Sequence, residues 1–252
     1  METQASVVVP NRRLGKLPPK YDPRTLRLAR YIDLATFPKP PKAHNLSHRV
    51  GPNFAWGAMR NDQLGDCTCA AMGHARQVWT GGKHTPTDDA VVALYNEVNG
   101  GQDNGANALD VLNRMLDTAT ALEGDTILAF AAVDPQNEPL IRIAHLLFDG
   151  VYVGLGLPAN AQRQSTWDYV QENGNEPYSW GGHMVWMVDI NKTGPVYVTW
   201  GYLQQATWAW HFRYCDEQYG VLDDDALRAN GKTPSGFSLK RLKNDVARIR
   251  GS

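Results

Sequence analysis

The hydrophobic pattern of the chain changes near residue 150, and this change limits the folds that the chain can adopt. Before that point, apolar residues recur at helical spacing in four stretches, at about residues 67–80, 90–99, 108–119 and 138–149. After it, short apolar runs between turn residues predict buried strands at residues 151–155, 183–190, 195–200 and 207–214. Helices that precede strands, without alternating with them, predict an α+β fold with two lobes.

The first 50 residues differ from the remainder in composition. Prolines recur among basic residues from Pro10 to Pro41, which favours an extended arm with, at most, a short helix over residues 24–35. Such an arm can lie across the domain surface, dock on a protein partner or cover the site. We expect the domain itself to span residues 51–252, with a helical lobe over about 51–150, a β lobe over about 151–230 and a tail over 231–252.

The overall composition narrows the class of protein. With 252 residues that are 42% hydrophobic, the chain can bury a large core, and its net charge of −1 gives no reason to expect nucleic acid or an anionic membrane as a partner. No apolar run reaches the roughly 18 residues of a membrane helix, and no targeting signal is visible, so we expect a cytoplasmic or virion-associated protein. The three cysteines predict reduced thiols, and we expect no metal and no cofactor.

One of these cysteines stands at the predicted start of the first helix. The segment NDQLGDCTCAA, residues 61–71, places Cys67 after a glycine-containing turn. Main-chain N–H groups and the helix dipole stabilise a thiolate at such a position. A main-chain N–H, together with the side-chain amide of Asn61 or Gln63, could hold an oxyanion. The pattern fits a nucleophile, but it fits a small buried cysteine of a core helix as well.

A histidine stands at the start of a predicted strand in the other half of the chain. Gly181 and Gly182 lead into His183 and the apolar run that follows it. A histidine fixed there can take a proton from a thiol as its general base, whereas the alternative is a strand-edge histidine without a chemical role. A nucleophile and a base from different lobes would meet across a cleft.

These segments together resemble the papain-like cysteine peptidases, especially bacterial and phage members without a long inhibitory propeptide. Residues 63–68 (QLGDCT) and Ala70 resemble the family's nucleophile turn, residues 182–188 its histidine strand, and Thr199-Trp200-Gly201 its following aromatic element. Residues 14–18 (LGKLP) and 21–24 (YDPR) are similar to the entry segment of those relatives. The resemblance implies a helical lobe that begins with the Cys67 helix, an antiparallel sheet that carries His183, and a peptide or protein substrate.

The resemblance also assigns roles, with two departures from the family's pattern. It implies Cys67 as nucleophile, His183 as base and Trp200 as a shield for the histidine. The family's oxyanion glutamine falls on Asn61, so Gln63 is an alternative donor. The asparagine that orients the histidine falls on Val198, which has no polar side chain, so we consider the neighbouring polar residues as orienting candidates: Thr199, Asp189 and Asn191.

Two functions from different classes follow from this pattern. The first is thiol-dependent hydrolysis of peptides or amides by Cys67 and His183, with acyl transfer by the same pair as a variant. The second is a catalytically silent papain-like protein, a phage or bacterial component used for binding or within an assembly such as a virion. Val198 at the orienting position and the proline-rich arm favour the second.

Overall fold

The computed structural model describes residues 12–117, 122–223 and 237–250 of the chain. Capping residues set the ends of some helices in the first half of the chain. Thr87 accepts a hydrogen bond from the N–H of Ala90 at the start of one helix, and Gly100, at φ 73°, ends it in the left-handed region. In chain order the α-helices are α1 Ser47–Val50, α2 Cys67–Trp79, α3 Asp88–Asn99, α4 Ala108–Met115, α5 Glu138–Phe148, α6 Trp208–Tyr214 and α7 Leu239–Arg250.

Within the described residues, seven strands form one antiparallel sheet. The order across it is β2-β7-β3-β4-β5-β6, and β1 pairs with β4 outside this path. His183 of β4 faces Leu155 of β3 in the register. The strands are β1 His44–Asn45, β2 Ala129–Ala132, β3 Val151–Leu157, β4 Gly181–Ile190, β5 Pro195–Thr199, β6 Tyr202–Gln205 and β7 Cys215–Leu222.

Both faces of the central strands are covered, which explains their continuous apolar sequence. Along β4, Met184 and Trp186 pack in the cluster that contains α2, whereas Val185 and Met187 pack in the cluster on the opposite face. Helix α2 is buried at every one of its residues, between the other helices and the sheet. Helix α2 is therefore held in one of the two core clusters, and β4 lies between them.

The α+β prediction is confirmed, and two of the predicted elements are wrong. Residues 207–214 form helix α6 rather than a strand, because Thr207 accepts a hydrogen bond from the N–H of Trp210 and caps it. The expected helix over residues 24–35 is reduced to a 3₁₀ turn, Leu28–Arg30. The predicted helix over 108–119 ends at Met115, and residues 118 and 119 lie outside the described residues. Every helix in the described part is too short or too polar to cross a bilayer.

Candidate active site

Cys67 is the first residue of α2, and its thiol is enclosed. The side chain is buried, at 1% exposure. Burial raises the pKa of the thiol to about 12, against the opposing effect of the nearby main-chain N–H groups of Met184 and Gly15. Since Met184 directly follows His183 in β4, the thiol lies against the main chain that carries the histidine. The start of α2 therefore lies against the main chain at the start of β4.

His183 is held by a hydrogen bond and a ring stack. Its Nε2 lies 2.6 Å from Oγ1 of Thr199. Its ring stacks on Trp200, with the centroids 4.2 Å apart and the planes 11° from parallel. Burial lowers the pKa of His183 to about 3, and electrostatic interactions with His74 and Arg12 act in the same direction. The imidazole is therefore neutral in this arrangement.

The second ring nitrogen of His183 has no hydrogen-bond partner among the described residues. This atom, Nδ1, is buried. The thiol and the imidazole are consequently not hydrogen-bonded to each other in this structure. A buried nitrogen without a partner calls for an explanation, and a catalytic role is one of the possible explanations.

Of the three orienting candidates, Thr199 is the one that contacts the histidine. Asp189 accepts hydrogen bonds from the N–H groups of Leu46 and Ser47, at 2.6 and 2.9 Å, and so holds the start of α1. Asn191 accepts from Thr193 and Gly194 and closes the β4–β5 turn. Val198 is fully buried in the cluster that contains α2. Because side chains alternate along a strand, Thr199 faces the side of β5 that Val198 does not.

The two oxyanion candidates differ in burial. Asn61 is 2% exposed, and its Nδ2 donates to the carbonyl of Leu64 within the turn that precedes Cys67. Gln63 has an exposed side chain, and its main-chain carbonyl accepts a hydrogen bond from Nε of Arg13. The amide of Asn61 is therefore the better fixed of the two. Asp66, between this turn and Cys67, is fully buried, and burial raises the pKa of its carboxyl to about 8.

Residues 12–17 of the N-terminal arm run across this site, and we call them the arm segment. The N–H groups of Gly15 and Lys16 both donate to the carbonyl of Gly182, at 3.2 and 3.1 Å. On the other side, Gly15 accepts from the N–H of Ala106 at 2.9 Å, and the N–H of Leu17 donates to the carbonyl of Ala106 at 3.0 Å. The segment thus pairs through its main chain with Gly182 of β4 on one side and with Ala106, just before α4, on the other.

Two further contacts close the arm segment over the histidine. Nε1 of Trp200 donates to the carbonyl of Arg13 at 3.0 Å, and the guanidinium of Arg12 lies 5.4 Å from the centroid of the Trp200 ring. A Cβ on Gly15 would lie 1.8 Å from the carbonyl oxygen of Gly65, so this position has room for glycine alone. The arm and the turn before Cys67 are therefore in main-chain contact.

Lys16 of the arm segment enters a pocket in the sheet. Its side chain is fully buried, and its Nζ lies 3.0 Å from Asp216, 3.2 Å from Glu217 and 3.1 Å from the hydroxyl of Tyr178. Burial acts to lower the pKa of Lys16, but the two carboxylates outweigh it and raise the pKa. Gly154 leaves room for the lysine stem, because a Cβ there would lie 2.4 Å from Cε of Lys16.

Sequence reasoning missed this pocket, although one signal for it was present. Asp216 and Glu217 are consecutive acidic residues at the start of β7, in a strand whose other residues are mainly buried. Carboxylates in a buried strand require a cation or several donors. The partner, Lys16, stands in a basic arm whose composition gives no indication of burial.

The fold of this chain is similar to those of several solved cysteine proteases. Xylellain, a cysteine protease from Xylella fastidiosa, superimposes with a TM-score of 0.67 at 12% identity, over 87% of this chain and 99% of that chain. Procathepsin B from Trypanosoma congolense follows with 0.54 at 11% identity, over 84% of this chain and 87% of that chain. A Carica candamarcensis cysteine protease has a TM-score of 0.52 at 12% identity, over 73% and 99%. No protein-family model and no curated protein sequence matches the chain. The chain has the papain-like α+β fold.

Proposed function

We propose that the protein is a thiol-dependent hydrolase of peptide or amide bonds, with Cys67 as nucleophile and His183 as general base. The observation that supports this most directly is the setting of His183. One ring nitrogen is held by Thr199, the ring is stacked on Trp200, and the other nitrogen is buried without a partner among the described residues. An imidazole oriented through one nitrogen and free at the other is arranged for proton transfer at the free one.

Besides Cys67 and His183, the reaction requires two hydrogen-bond donors for the oxyanion. The thiol proton passes to Nδ1 of His183, and the thiolate of Cys67 adds to the carbonyl carbon of the substrate. The main-chain N–H of Cys67 and the amide of Asn61 would hold the oxyanion. The oxyanion collapses to a thioester as His183 gives its proton to the departing amine. Water, deprotonated by His183, then hydrolyses the thioester and restores the thiol.

Thr199 serves as the orienting residue in this proposal. A hydroxyl at 2.6 Å accepts a hydrogen bond from Nε2–H, which fixes the tautomer that leaves Nδ1 free to receive a proton. The neutral states of the thiol and the imidazole follow from burial, which the arm segment contributes to. Displacement of that segment would hydrate both groups and lower the cost of forming the thiolate–imidazolium pair.

The test is covalent labelling by an epoxide-type thiol inhibitor, followed by intact-mass measurement. We expect labelling of the wild type at one site and no labelling of Cys67→Ala. Cys69→Ala and Cys215→Ala are matched controls, because both thiols are also buried, and both variants should label as the wild type does. Equal labelling of the wild type and Cys67→Ala would overturn the proposal, as would His183→Ala that labels at the wild-type rate.

A second candidate is a catalytically silent papain-like protein used for binding. The missing hydrogen bond between the thiol and the imidazole favours it, together with the burial of both groups. The rate of alkylation by iodoacetamide against pH distinguishes the two functions. A thiol that titrates well below about 8.5 favours the hydrolase, and one that titrates at or above that value favours the silent protein.

A further inference from the structure

We propose that the hydrogen-bonded pair of His44 and His145 is an acid-sensitive latch, which fastens residues 44–50 to α5 and to the end of β4. These residues comprise β1 and α1, and we call them the latch segment. The pair lies far from the candidate active site, because His44 pairs in register with Ile190, about 23 Å along β4 from His183. The inference is therefore independent of the proposed function.

The first support is the geometry of the pair. Nδ1 of His44 lies 3.0 Å from Nδ1 of His145, and the two rings meet edge to face, with their centroids 5.0 Å apart. A neutral imidazole has one N–H, so one of the two Nδ1 atoms donates this hydrogen bond and the other accepts it. When both rings are protonated, both Nδ1 atoms are donors. The hydrogen bond is then lost, and two like charges face each other.

The second support is the unequal burial of the two rings. His145 is entirely removed from solvent, whereas His44 is half-buried. Burial lowers the pKa of both histidines, that of His145 to about 3. A first proton therefore enters the more exposed ring, and the hydrogen bond can persist with His44 as its donor. A second proton has to enter the buried ring at the nitrogen that accepts this bond, which opens the pair.

The charged groups around the pair favour one proton and oppose two. Asp149, at the end of α5, and Asp189 of β4 raise the pKa of His44 against the effect of its burial. Both carboxylates also have partners of their own, because Asp149 is paired with Arg49 of α1 at 2.6 Å and Asp189 accepts from the N–H groups at the start of α1. Arg49 and Arg142 of α5 add to the effect of burial at the second ring and lower its pKa further.

The remaining attachments of the latch segment are weak enough for the pair to control them. Strand β1 has two residues, and α1 has four residues, of which none is buried. Only Leu46, between the two elements, reaches the core. A segment with few buried apolar contacts opens locally at a lower free energy than the core does. The latch segment can therefore open while the sheet stays folded.

The direction of the pH effect follows from the protons that each state binds. In the open segment, both histidines have the ordinary pKa near 6.5, so the open state takes up two protons below that pH. The closed state takes up one at most. The equilibrium constant for opening should therefore rise by up to about tenfold per pH unit as the pH falls from about 6 to 4. Above pH 7 neither state binds these protons, and the latch stays closed.

The experiment is native-state hydrogen exchange of the full chain, read by NMR between about pH 7 and 4.5 and expressed as protection factors, which correct for the intrinsic pH dependence of exchange. The reporter is the N–H of Arg49, which donates to the carbonyl of Leu46 at 2.9 Å. Its protection factor should fall by at least tenfold over this range. Amides of β3, which pairs with β4 and β7, should keep theirs within about threefold.

Matched variants assign the effect to the pair. The double variant His44→Gln with His145→Gln keeps side chains that can hydrogen-bond but removes both titrations, so its protection factor at Arg49 should not change with pH. His48→Gln, which removes an exposed histidine of the same segment, should behave as the wild type does. An equal fall in the double variant would assign the effect to carboxylates such as Asp189 and would overturn the inference.

A measurement on the wild type decides the matter if the double variant does not fold. In ¹⁵N NMR of the imidazole rings, a scalar coupling between the two Nδ1 atoms should be present at pH 7 and lost as the protection factor falls. The ring of His145 should stay neutral at pH values where that of the exposed His48 is already protonated. A wild-type protection factor that does not change with pH, or two rings that titrate together with His48, would also refute the latch.

Discussion

Replacement of Thr199 by valine is the sharpest single test of the orienting role. The change keeps the shape of the side chain and removes the hydroxyl at 2.6 Å from Nε2 of His183. Both residues are buried, at 2% and 1% exposure, so that water cannot replace the lost partner. Since Nδ1 already lacks a partner, the variant would bury an imidazole with no hydrogen bond at either nitrogen.

The size of the effect follows from that burial. A buried polar group left without its partner costs about 1–3 kcal/mol of unfolding free energy. For a domain of this size each kcal/mol corresponds to roughly 2–4 °C, so the melting temperature should fall by about 2–12 °C. Loss of the orienting bond should also lower the rate of hydrolysis or of thiol labelling by about 10- to 100-fold, as when histidines at metal centres lose their outer hydrogen bonds.

Two measurements on the same samples separate stability from chemistry. Thermal unfolding by circular dichroism gives the first, and the rate of epoxide labelling, measured well below the melting temperature, gives the second. Thr199→Ser keeps the hydroxyl and should stay close to the wild-type labelling rate. Thr126→Val, at a partly exposed threonine whose side chain has no hydrogen bond to another described residue, controls for the change of residue type. If Thr199→Val melts and labels as the wild type does, the hydrogen bond has no orienting role.

Three further substitutions test the surroundings of the pair. Val198→Asn restores the family's residue by sequence position, but it buries an amide in the core cluster that contains α2; denaturant unfolding should show a loss of about 1–3 kcal/mol, and a gain in labelling rate would contradict the geometry. Asp189→Ala removes the acceptor of two N–H groups at the start of α1 and should lower the unfolding free energy by about 1–2 kcal/mol. The rate of epoxide labelling should not change. Asp66 has a folded pKa of about 8 against a usual value near 3.8, so the folded state holds its proton more tightly and wild-type stability should fall as pH rises from 4 to 8. Asp66→Asn lacks this dependence, and its unfolding free energy relative to the wild type should rise by up to about 1.4 kcal/mol per pH unit between pH 5 and 7; a constant difference would refute the shift.

The fold, and the positions of Cys67 and His183 at the starts of a helix and a strand, were predictable from the sequence because each depends on a local pattern. The Cys67 helix follows from apolar residues at helical spacing after a glycine turn, and the His183 strand follows from an apolar run after two glycines. Helix α6 was misassigned because aromatic residues at alternate positions from Trp208 onwards imitate the period of a strand. The burial of Trp210, His211 and Tyr214 reveals the helical spacing instead. The Thr207 cap was the one local sign of a helix.

The path of the arm could not be predicted in the same way, for a physical reason. The arm segment is bound mainly through its N–H and C=O groups, which every residue type offers, so that its sequence shows no periodicity. Lys16 adds a second difficulty, since lysine is among the residue types that are almost never fully buried without a partner. The partners are at the start of β7, about 200 positions later in the chain, and only the folded sheet brings them near the arm.

The folded sheet also determines that Thr199, and not Val198, contacts His183. Matching the chain to the family by position places the asparagine on Val198, yet strand β5 turns that side chain towards α2 and turns its neighbour towards His183. A hydroxyl one position later can therefore supply the hydrogen bond that the family obtains from an amide. Because the threonine is shorter, it can reach the imidazole only if the ring lies close to β5, and the stack on Trp200 keeps it there. Thr199 and the ring of Trp200 thus hold the imidazole together, so loss of either should release the histidine from the orientation that it has in this structure.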